Sequence, residues 1–396
     1  MTRRPGTGTL AVHPPTIRPG RTLPAAPTID LSSAYFVPDL DTLSSLHHGK
    51  FTDGYYRRYG HPNGRQLEGA MTALEAPADG SWESVALSSG MTAAVTLLWA
   101  LVPSGSHVVC GRDIYGGTYS FLSNHAARIG LTATFVDSTP EAVRSAIRPE
   151  TGAVIVETIT NPLMRVPDLP AIIRAAGKVP VFVDNTFATP ILARPLEWGA
   201  RAVWHSATKY LGGHADALGG VVVTTRLDAA RVRGLSTAVG GSIGPLDAWL
   251  VVRGIRTLEV RVRRAGANAL AIASWLSRQR SVTRVNYPGL ASSPDRAIAR
   301  RLLDGGFGAM LSFEIRGSLA AAKRFVVALE RIRLLPSLGD VETTISHPAR
   351  SSHAYLSPRE RADAGVTDGL IRLSAGIENI EDTLADLGQA LKRSQR

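Results

Sequence analysis

The strongest constraint on this chain is an apolar run that ends in a carboxylate and is followed, further along, by a lysine in a tight turn. Residues Val179–Val183 are apolar and lead directly into Asp184, which predicts a buried strand with an acid at its carboxyl end. The turn Ser206–Lys209 then places hydroxyls shortly before a lysine, and the glycine pair Gly212–Gly213 follows. A lone lysine usually carries a solvated surface charge, so its neighbours decide how this one is interpreted.

These neighbours match what pyridoxal phosphate requires of a protein. The cofactor needs a lysine for its Schiff base, here Lys209, and an acid that keeps its ring nitrogen protonated, here Asp184. Its phosphate needs hydroxyls and backbone amides, and Ser206 and Thr208 supply hydroxyls beside the lysine. The pattern therefore predicts a pyridoxal-phosphate site, to which we also assign Thr186, just after the acid.

The length and composition indicate a globular protein of about two or three domains. The chain has 396 residues, 44% of them hydrophobic, and its longest apolar run is far too short to cross a bilayer. The first residues are rich in proline, arginine and threonine and show no signal-peptide pattern. The single cysteine, Cys110, excludes an internal disulfide framework. We therefore expect a cytoplasmic protein without membrane contact, with Cys110 a buried strand-end residue and not a catalytic thiol.

The net charge of +11 raises the question of a nucleic-acid partner. The arginines are spread through predicted helices, for example at Arg256 and Arg300, and no basic run is interleaved with aromatics. We therefore expect no nucleic-acid partner, and note that a phosphate and an acidic substrate also favour a positive site. We expect no metal site either, because His205 and His214 flank the lysine without a cysteine pair or a Glu-x-x-His pattern.

Three further segments combine a predicted strand with a polar or glycine-containing end. Val85–Leu87 precedes Ser88–Met91, which predicts a strand, a turn and a helix whose first amides point at an anion. Ser106–Cys110 precedes Tyr115, and a tyrosine beside two glycines can lie flat on a planar ring. Ala153–Glu157 is another buried strand that ends in an acid. Taken singly, the first two patterns also fit an ordinary turn or a core aromatic.

Strand, loop and helix alternate from about residue 85 to 225, which predicts a mostly parallel sheet with helices on both faces. Ligands of such sheets bind at the carboxyl ends of the strands, where Gly90, Asp184 and Lys209 would lie. No Gly-x-Gly-x-x-Gly follows a strand, so the sequence lacks a dinucleotide fingerprint. The expected fold class is therefore α/β.

The C-terminal part predicts a smaller α+β domain. A charged amphipathic region extends to about Arg280, Met310–Ile315 alternates like an antiparallel strand, and Leu370–Ser374 is apolar around one arginine. Burying an unpaired guanidinium is expensive, so Arg372 needs an anionic partner, either a substrate carboxylate or a protein acid. The expected division is an N-terminal arm and inter-subunit loop at 1–60, a large cofactor-binding domain at 61–255 and a C-terminal domain at 256–396.

Together these motifs resemble the Cys/Met-metabolism family of pyridoxal-phosphate enzymes, from about Leu31 to Leu387. The core Ser206-Ala207-Thr208-Lys209-Tyr210 is highly specific to that family. Its members include cystathionine gamma-synthase, cystathionine gamma- and beta-lyases, methionine gamma-lyase and O-acylhomoserine sulfhydrylases. The resemblance implies a fold-type-I, aspartate-aminotransferase-like architecture with a mostly parallel large domain and a smaller α+β C-terminal domain. It also implies pyridoxal 5'-phosphate as the cofactor.

The resemblance further implies an assembly. The family's Tyr-x-Arg-x-x-Asn-Pro-Thr loop reaches into the adjacent subunit and holds that subunit's cofactor phosphate, and Tyr56 and Arg58 match its first two named positions. His61 and Asn63 stand where the family usually has asparagine and threonine. The implied assembly is a homotetramer of two dimers with shared active sites.

The same resemblance assigns residues around the phosphate, the ring and the substrate. Amides of a Ser-Gly-Met turn bind the phosphate, while a stacking tyrosine that also moves protons and an acid–amide pair serve the ring. An arginine binds the substrate carboxylate, with a serine and an acid nearby. The matching positions are Ser89, Gly90 and Met91 for the phosphate, Tyr115, Glu157 and Asn161 for the ring, and Ser337, Glu342 and Arg372 for the substrate.

Two departures from the family pattern concern the substrate. Gly117 stands where methionine gamma-lyases typically have cysteine, which weighs against a dedicated methionine enzyme. The segment Arg350–Tyr355 departs from the common Met-Thr-His and Thr-Thr-His patterns near the substrate. Substrate identity is therefore the property that the resemblance implies least directly.

The implied reaction is gamma-elimination on a cystathionine- or homoserine-derived amino acid, giving a 2-oxo acid, ammonia and a thiol. Asp340 and Glu342 together resemble the gamma-lyases more than the sulfhydrylases. Gamma-replacement, of the cystathionine gamma-synthase or sulfhydrylase type, uses the same residues and is the alternative. An aminotransferase is disfavoured because those enzymes lack the Tyr-x-Arg loop. A basic binding module that has kept the fold is the non-enzyme alternative.

Overall fold

The computed structural model describes residues 5–13, 25–47, 55–354 and 356–395. Parts of the predicted N-terminal arm, Phe51–Gly54 of the predicted inter-subunit loop, and Tyr355 therefore lie outside the described residues.

Two units emerge from the way the chain contacts itself. The first comprises Met1–Val102 and Arg201–Leu258, and the second comprises Pro103–Ala200 and Glu259–Arg396. Each unit is thus built from two separate stretches of sequence. The division at 1–60, 61–255 and 256–396 stays a prediction.

The strands are numbered in chain order. They are β1 Trp82–Leu87, β2 His107–Gly111, β3 Thr132–Val136, β4 Thr151–Glu157, β5 Val181–Asp184, β6 Ala202–Ser206, β7 Gly220–Thr225, β8 Val282–Asn286, β9 Met310–Ile315, β10 Arg333–Leu334, β11 Thr344–Ser346 and β12 Leu370–Ser374.

The α-helices are numbered in the same way, and among those described none is long and apolar enough to cross a membrane. They are α1 Thr7–Val12, α2 Leu40–His47, α3 Pro62–Glu75, α4 Gly90–Leu101, α5 Gly116–Asn124, α6 Pro140–Ala146, α7 Leu169–Ala176, α8 Thr189–Leu192, α9 Arg226–Val239, α10 Pro245–Ile255, α11 Leu258–Leu276, α12 Arg296–Leu302, α13 Ser318–Ala328, α14 Pro358–Asp363 and α15 Ile380–Ser394. Short 3-10 helices cover Arg57–Tyr59, Ala126–Ile129, Pro195–Trp198 and Pro348–Arg350.

In the first unit, strands lie in the order β1-β7-β6, and both pairs are antiparallel. Gly220 at the start of β7 faces Leu87 on one side and Ser206 on the other. The carboxyl ends of β1 and β6 therefore lie at one edge, which brings the turn after each strand to the same place. Val221–Val223 is fully buried, as a strand covered on both faces requires.

In the second unit, β5-β4-β2-β3 form an all-parallel arrangement. The apolar residues of β2, β4 and β5 are buried, whereas those of the edge strand β3 are half-buried. Cys110 in β2 is a fully buried free cysteine, as expected. Burial raises the pKa of the Cys110 thiol well above its usual value, which suits a core residue and not a nucleophile. Glu157 ends β4 directly beside Asp184 at the end of β5. Two predicted site acids therefore occupy adjacent strand ends.

The second unit also contains a sheet of order β10-β11-β12-β9-β8, antiparallel except for the β10–β11 pair. Side chains alternate between the faces of a strand. Ile371 and Leu373 of β12 enter a core with residues of α11, α13 and α15. Arg372 therefore points to the opposite face, where its cross-strand neighbours are Ser346 and Ser312. This polar face carries the predicted substrate arginine.

Two segments contain helices that the sequence pattern does not reveal. The N-terminal arm, whose prolines favour extended backbone, contains α1, which buries Ala11 and contacts α3. The amphipathic region is divided, since α10 ends at Ile255 and α11 begins at Leu258. The amide and the hydroxyl of Thr257 both donate to the Gly254 carbonyl, at 3.1 and 3.2 Å, and close the end of α10.

Candidate active site

The lysine turn follows directly from the end of β6. The Lys209 amide donates to the Ser206 carbonyl at 3.1 Å, and the Gly213 amide donates to the Lys209 carbonyl at 2.8 Å. Gly213 has a φ of 71°, a left-handed conformation that glycine adopts without strain. The paired glycines thus let the chain reverse right after Lys209, whose side chain is half-buried.

Thr208 ties this turn to the strand beside it. Its Oγ1 accepts a hydrogen bond from the Gly219 amide at 3.0 Å and donates to the Gly219 carbonyl at 3.3 Å. The Thr208 amide also donates to the Gly219 carbonyl, at 3.3 Å. Because β7 begins at Gly220, these bonds fix the turn against a strand of the sheet. Thr208 therefore positions Lys209 through the backbone.

The helix α4 meets the lysine turn at its N-terminus. Ser89 caps this helix, since its Oγ accepts from the Thr92 amide at 3.0 Å. The amides of Gly90 and Met91 belong to the first turn, where helix geometry leaves them without intrahelical acceptors. A Cβ added at Gly90 would lie 2.6 Å from Ser206 Cβ, so only glycine permits this approach. The residues of the first unit that are predicted to bind the phosphate therefore lie together.

Tyr56 and Arg58 lie on the surface of the first unit. Arg58 Nη1 donates to the Thr237 carbonyl at 2.7 Å, and its guanidinium stacks on Tyr56 and Tyr59 at 5.5 and 5.0 Å. Both predicted residues are exposed. The structure thus presents a cation and an aromatic ring outward from a short 3-10 helix.

His61 and Asn63, which depart from the family pattern in this loop, both make structural hydrogen bonds. His61 caps α3, because its Nδ1 accepts from the Gly64 amide at 3.1 Å while its Nε2 donates to the Ile243 carbonyl at 3.0 Å. Asn63 holds the arm: its Oδ1 accepts from the Asp30 amide at 2.9 Å, and its Nδ2 donates to the Thr28 carbonyl at 2.7 Å. The replacements therefore preserve a capped helix start.

The second unit contains the two acids at adjacent strand ends. Thr186 donates to Asp184 Oδ1 twice, from its amide at 2.9 Å and from its hydroxyl at 2.5 Å. Glu157 Oε1 accepts from the Tyr115 amide at 2.7 Å, which fixes the start of α5. Asp184 and Thr186 are thus joined as expected, and Tyr115 is joined to Glu157.

The surroundings of Glu157 favour its protonated form. Its burial, and then the neighbouring Asp184 carboxylate, raise the pKa of Glu157 well above its usual value. Its Oε2 is buried and has no hydrogen-bond partner among the described residues. Because Oε1 accepts from an amide, a proton on this carboxyl would lie on Oε2.

Arg372 is held by a neutral amide. Its Nη1 donates to Asn161 Oδ1 at 3.0 Å, and the two residues are 5% and 2% exposed. This contact orients the guanidinium. Asn161, which is predicted to support the cofactor ring, is therefore hydrogen-bonded to Arg372, which is predicted to bind the substrate.

The remaining substrate candidates are less enclosed. Ser374 Oγ accepts from the Gly339 amide at 2.9 Å and so anchors the loop that carries Ser337, which is half-buried. Glu342 is exposed. The backbone beside it is fixed by Gly376, where an added Cβ would lie 2.3 Å from the Val341 carbonyl oxygen.

Sequence reasoning missed two buried histidines that support the site. His205, at the end of β6, contacts Glu75 Oε2 through Nε2 at 3.0 Å, and both side chains are almost fully buried. His353 is 3% exposed and lies close to Asn161 and Arg372. His205 was considered only as a metal ligand, and His353 only as part of a departure from the family pattern. Within the described ranges, no group of three or more His, Cys, Asp or Glu side chains is arranged to hold a metal ion.

These residues fit pyridoxal phosphate on their own chemistry. The first unit contains a lysine, hydroxyls and the first amides of α4, beside a glycine that permits close approach to Ser206. The second unit contains the adjacent acids Glu157 and Asp184 and the exposed Tyr115. Glu157 Oε2 is buried and has no hydrogen-bond partner among the described residues. Lysine, acid and anion-binding amides are the groups the cofactor requires.

Comparison with known proteins decides the family. A family model described as Cys/Met metabolism PLP-dependent enzyme matches residues 8–392. The chain belongs to this family. The predicted family resemblance, fold-type-I class and pyridoxal-phosphate cofactor are thereby confirmed, and the chain is a pyridoxal-phosphate-dependent enzyme.

Individual relatives cover nearly the whole chain. It is 39% identical over 399 residues to L-methionine gamma-lyase of Fusobacterium nucleatum subsp. polymorphum, which covers 99% of both proteins. It is 44% identical over 348 residues to cystathionine gamma-lyase of Bacillus subtilis (strain 168), covering 87% of this chain and 90% of that protein. A crystal structure of cystathionine gamma synthase from Xanthomonas oryzae pv. oryzae, in complex with aminoacrylate and cysteine, matches with a TM-score of 0.90 at 38% identity, covering 98% of each chain. The family relatives therefore include both lyases and a synthase.

Proposed function

We propose that this enzyme catalyses gamma-elimination on a cystathionine- or homoserine-derived amino acid and releases a 2-oxo acid, ammonia and a thiol. The observation that carries the proposal is Arg372, a buried guanidinium on the polar face of β12 that is bonded to Asn161 and can bind a substrate carboxylate. The relatives that are named gamma-lyases support elimination as the outcome.

The proposal assigns each predicted site residue a part in holding the cofactor. Ser89, Gly90, Met91, Ser206 and Thr208 would hold the phosphate, and Asp184, Thr186, Glu157, Asn161 and Tyr115 would hold the ring. Ligand binding at the carboxyl ends of strands supports this placement, because β1, β4, β5 and β6 all end at these residues. When bound, pyridoxal phosphate supplies an electron sink for the charge that develops on the substrate.

The protein's own groups would carry the protons. Lys209 would hold the cofactor covalently, and its Nζ, once free, would accept the α proton of the substrate. Asp184 would keep the ring nitrogen protonated, and Thr186 holds its carboxylate in place. Either Tyr115 or Lys209 then protonates the leaving group at the γ carbon. Tyr115 is 42% exposed, so its hydroxyl is accessible to a substrate.

Substrate recognition would rest on Arg372, with Ser337 and Glu342 nearby. Gamma-replacement is the second candidate, because one relative of known crystal structure is a cystathionine gamma synthase. Elimination and replacement share the early steps, so both candidates use the same residues. The difference is whether a thiol or water reacts last.

Product analysis separates the candidates. The purified enzyme is supplied with cystathionine, with methionine, and with an O-acylhomoserine plus cysteine. We expect a 2-oxo acid and ammonia from cystathionine. A thioether formed from the acylhomoserine and cysteine, without 2-oxo acid, would establish replacement instead. Because Gly117 stands where methionine gamma-lyases have cysteine, we expect methionine to be the poorer substrate.

We further propose a homotetramer of two dimers in which Tyr56 and Arg58 reach the neighbouring subunit's phosphate. Their exposure and their outward placement support this role. We also propose a cytoplasmic location and a domain division at 1–60, 61–255 and 256–396.

A further inference from the structure

His353 lies in the segment that departs from the family pattern. It follows the 3-10 helix Pro348–Arg350, and its amide donates to the Pro348 carbonyl at 2.9 Å. Its side chain is 3% exposed. A buried imidazole needs hydrogen-bond partners, so its contacts indicate its task.

The contacts define one neutral tautomer. Nδ1 lies 2.9 Å from Ser352 Oγ, and the ring also bonds to the Asn161 backbone. Burial and then the nearby Arg372 charge lower the pKa of His353 to about 4, so the ring is neutral near pH 7. A neutral ring has one N–H, which must serve the Asn161 carbonyl, so Nδ1 accepts from the Ser352 hydroxyl.

Asn161 joins this histidine to the rest of the second unit's site. Its carbonyl accepts from His353, its amide donates to the Glu157 carboxyl, and its side-chain oxygen accepts from Arg372. One residue therefore connects three groups, and a shift of its backbone would move its side-chain amide as well. His353, which lies near Arg372, therefore supports the Asn161 backbone.

We propose that His353 is a positioning residue that fixes Asn161, and thereby orients Arg372 for the carboxylate of an α-amino acid. It selects amino acids over amines that lack the carboxylate. The inference rests on the proposed role of Arg372 in substrate binding. As a neutral group, His353 adds this support without placing a second positive charge beside the guanidinium.

The test measures ligand binding and does not depend on gamma-elimination. The holoenzyme is titrated with L-alanine, which has no γ leaving group, and with ethylamine, its carboxylate-free counterpart, while the cofactor absorbance is followed. His353→Leu removes the donor to the Asn161 carbonyl. Without that donor Asn161 can shift and misplace Arg372, so we expect alanine binding to weaken by roughly 5- to 100-fold while ethylamine binding stays within about twofold.

Matched variants separate positioning from folding. His353→Gln can place an amide N–H near the position of Nε2 and should bind alanine within about threefold of wild type, whereas the shorter His353→Asn should bind it more weakly. His107→Leu is the control, because His107 is equally buried and bonds Thr151 and Thr134 elsewhere in the second unit. We expect its alanine binding to be unchanged.

The outcomes distinguish this inference from the proposed function. Wild-type alanine binding by His353→Leu, or equal losses for alanine and ethylamine, would overturn the positioning role. If His353→Leu does not fold, equal binding by the Gln and Asn variants overturns it. If Arg372→Lys also leaves alanine binding intact, the carboxylate role of Arg372 fails; if only the Arg372 variant loses binding, the His353 inference alone fails.

Discussion

Replacing Gly90 by alanine tests whether α4 and the lysine turn form one phosphate site. The added Cβ would lie 2.6 Å from Ser206 Cβ and 2.9 Å from Ser206 Cα. Ser206 Cα is backbone and cannot rotate away, so the helix and the turn must separate. Helix propensity alone favours alanine over glycine by about 1 kcal/mol, so any loss reflects the close approach.

The distance gives the size of the effect. Ordinary carbon contacts begin at about 3.5 Å, so the two elements must move apart by about 1 Å. Overpacking of this kind costs about 1–3 kcal/mol. The shift also separates the Gly90 amide from the Ser206 hydroxyl, and an anion held by both loses part of its binding. At 1.4 kcal/mol per factor of ten, we expect cofactor binding to weaken by about 10- to 100-fold.

The assay is titration of the cofactor-free variant with pyridoxal phosphate, followed by the absorbance of the bound cofactor. Gly234→Ala is the matched control, because Gly234 lies within α9 and an added Cβ there meets nothing within 4 Å. That control should bind the cofactor as wild type does and gain about 0.5–1 kcal/mol of stability. Wild-type cofactor affinity in Gly90→Ala would refute the common phosphate site.

Four further results are expected. Lys209→Ala should lose turnover and the visible absorbance of the lysine-bound cofactor; retained turnover would contradict its assignment. Asp184→Asn should keep some cofactor but lose most of the rate, since a neutral ring is a poor electron sink, and a near wild-type rate would exclude it as the ring partner. Mixed dimers of Arg58→Ala and Lys209→Ala subunits should regain activity, because one site then has both residues; no recovery after verified subunit exchange would place Arg58 outside a shared site. Glu68→Gln should lose about 3 kcal/mol of stability at pH 7, measured by urea unfolding. Burial raises the Glu68 pKa, but the charges of Arg233 and Arg65 more than offset this, so the pKa is lowered on folding. The stabilisation is therefore complete above the unfolded carboxyl pKa and disappears as pH falls through the folded value.

The strands and their polar ends were predictable because hydrophobic periodicity and strand-end chemistry are local. The predicted Met310–Ile315 and Leu370–Ser374 strands coincide with β9 and β12. Asp184 falls at the end of β5, where the apolar run ends. The break between α10 and α11 was missed, since an amphipathic pattern continues across it while Thr257 closes the first helix through backbone bonds.

Contacts between distant residues could not be predicted from one sequence. Asn161 and Arg372 are 211 positions apart and were assigned separately to ring and substrate, yet they are bonded. The capping role of His61 was also hidden, because an imidazole is not a common helix cap and the residue looked only like a departure from a motif. Local chemistry identifies the candidates, whereas the fold determines which of them act together.

Glu157 and Asp184 show what contacts between distant residues add to the information in the sequence. Glu157 and Asp184 are both strand-end carboxyls, and the sequence treats them alike as residues for the ring. Their register places them side by side, so that burial, together with the Asp184 charge, raises the pKa of Glu157. Two carboxyls whose environments differ can divide acid and anionic roles at one pH. The adjacent strand ends thus favour the proton-donor form of Glu157, an effect that no motif in either strand predicts.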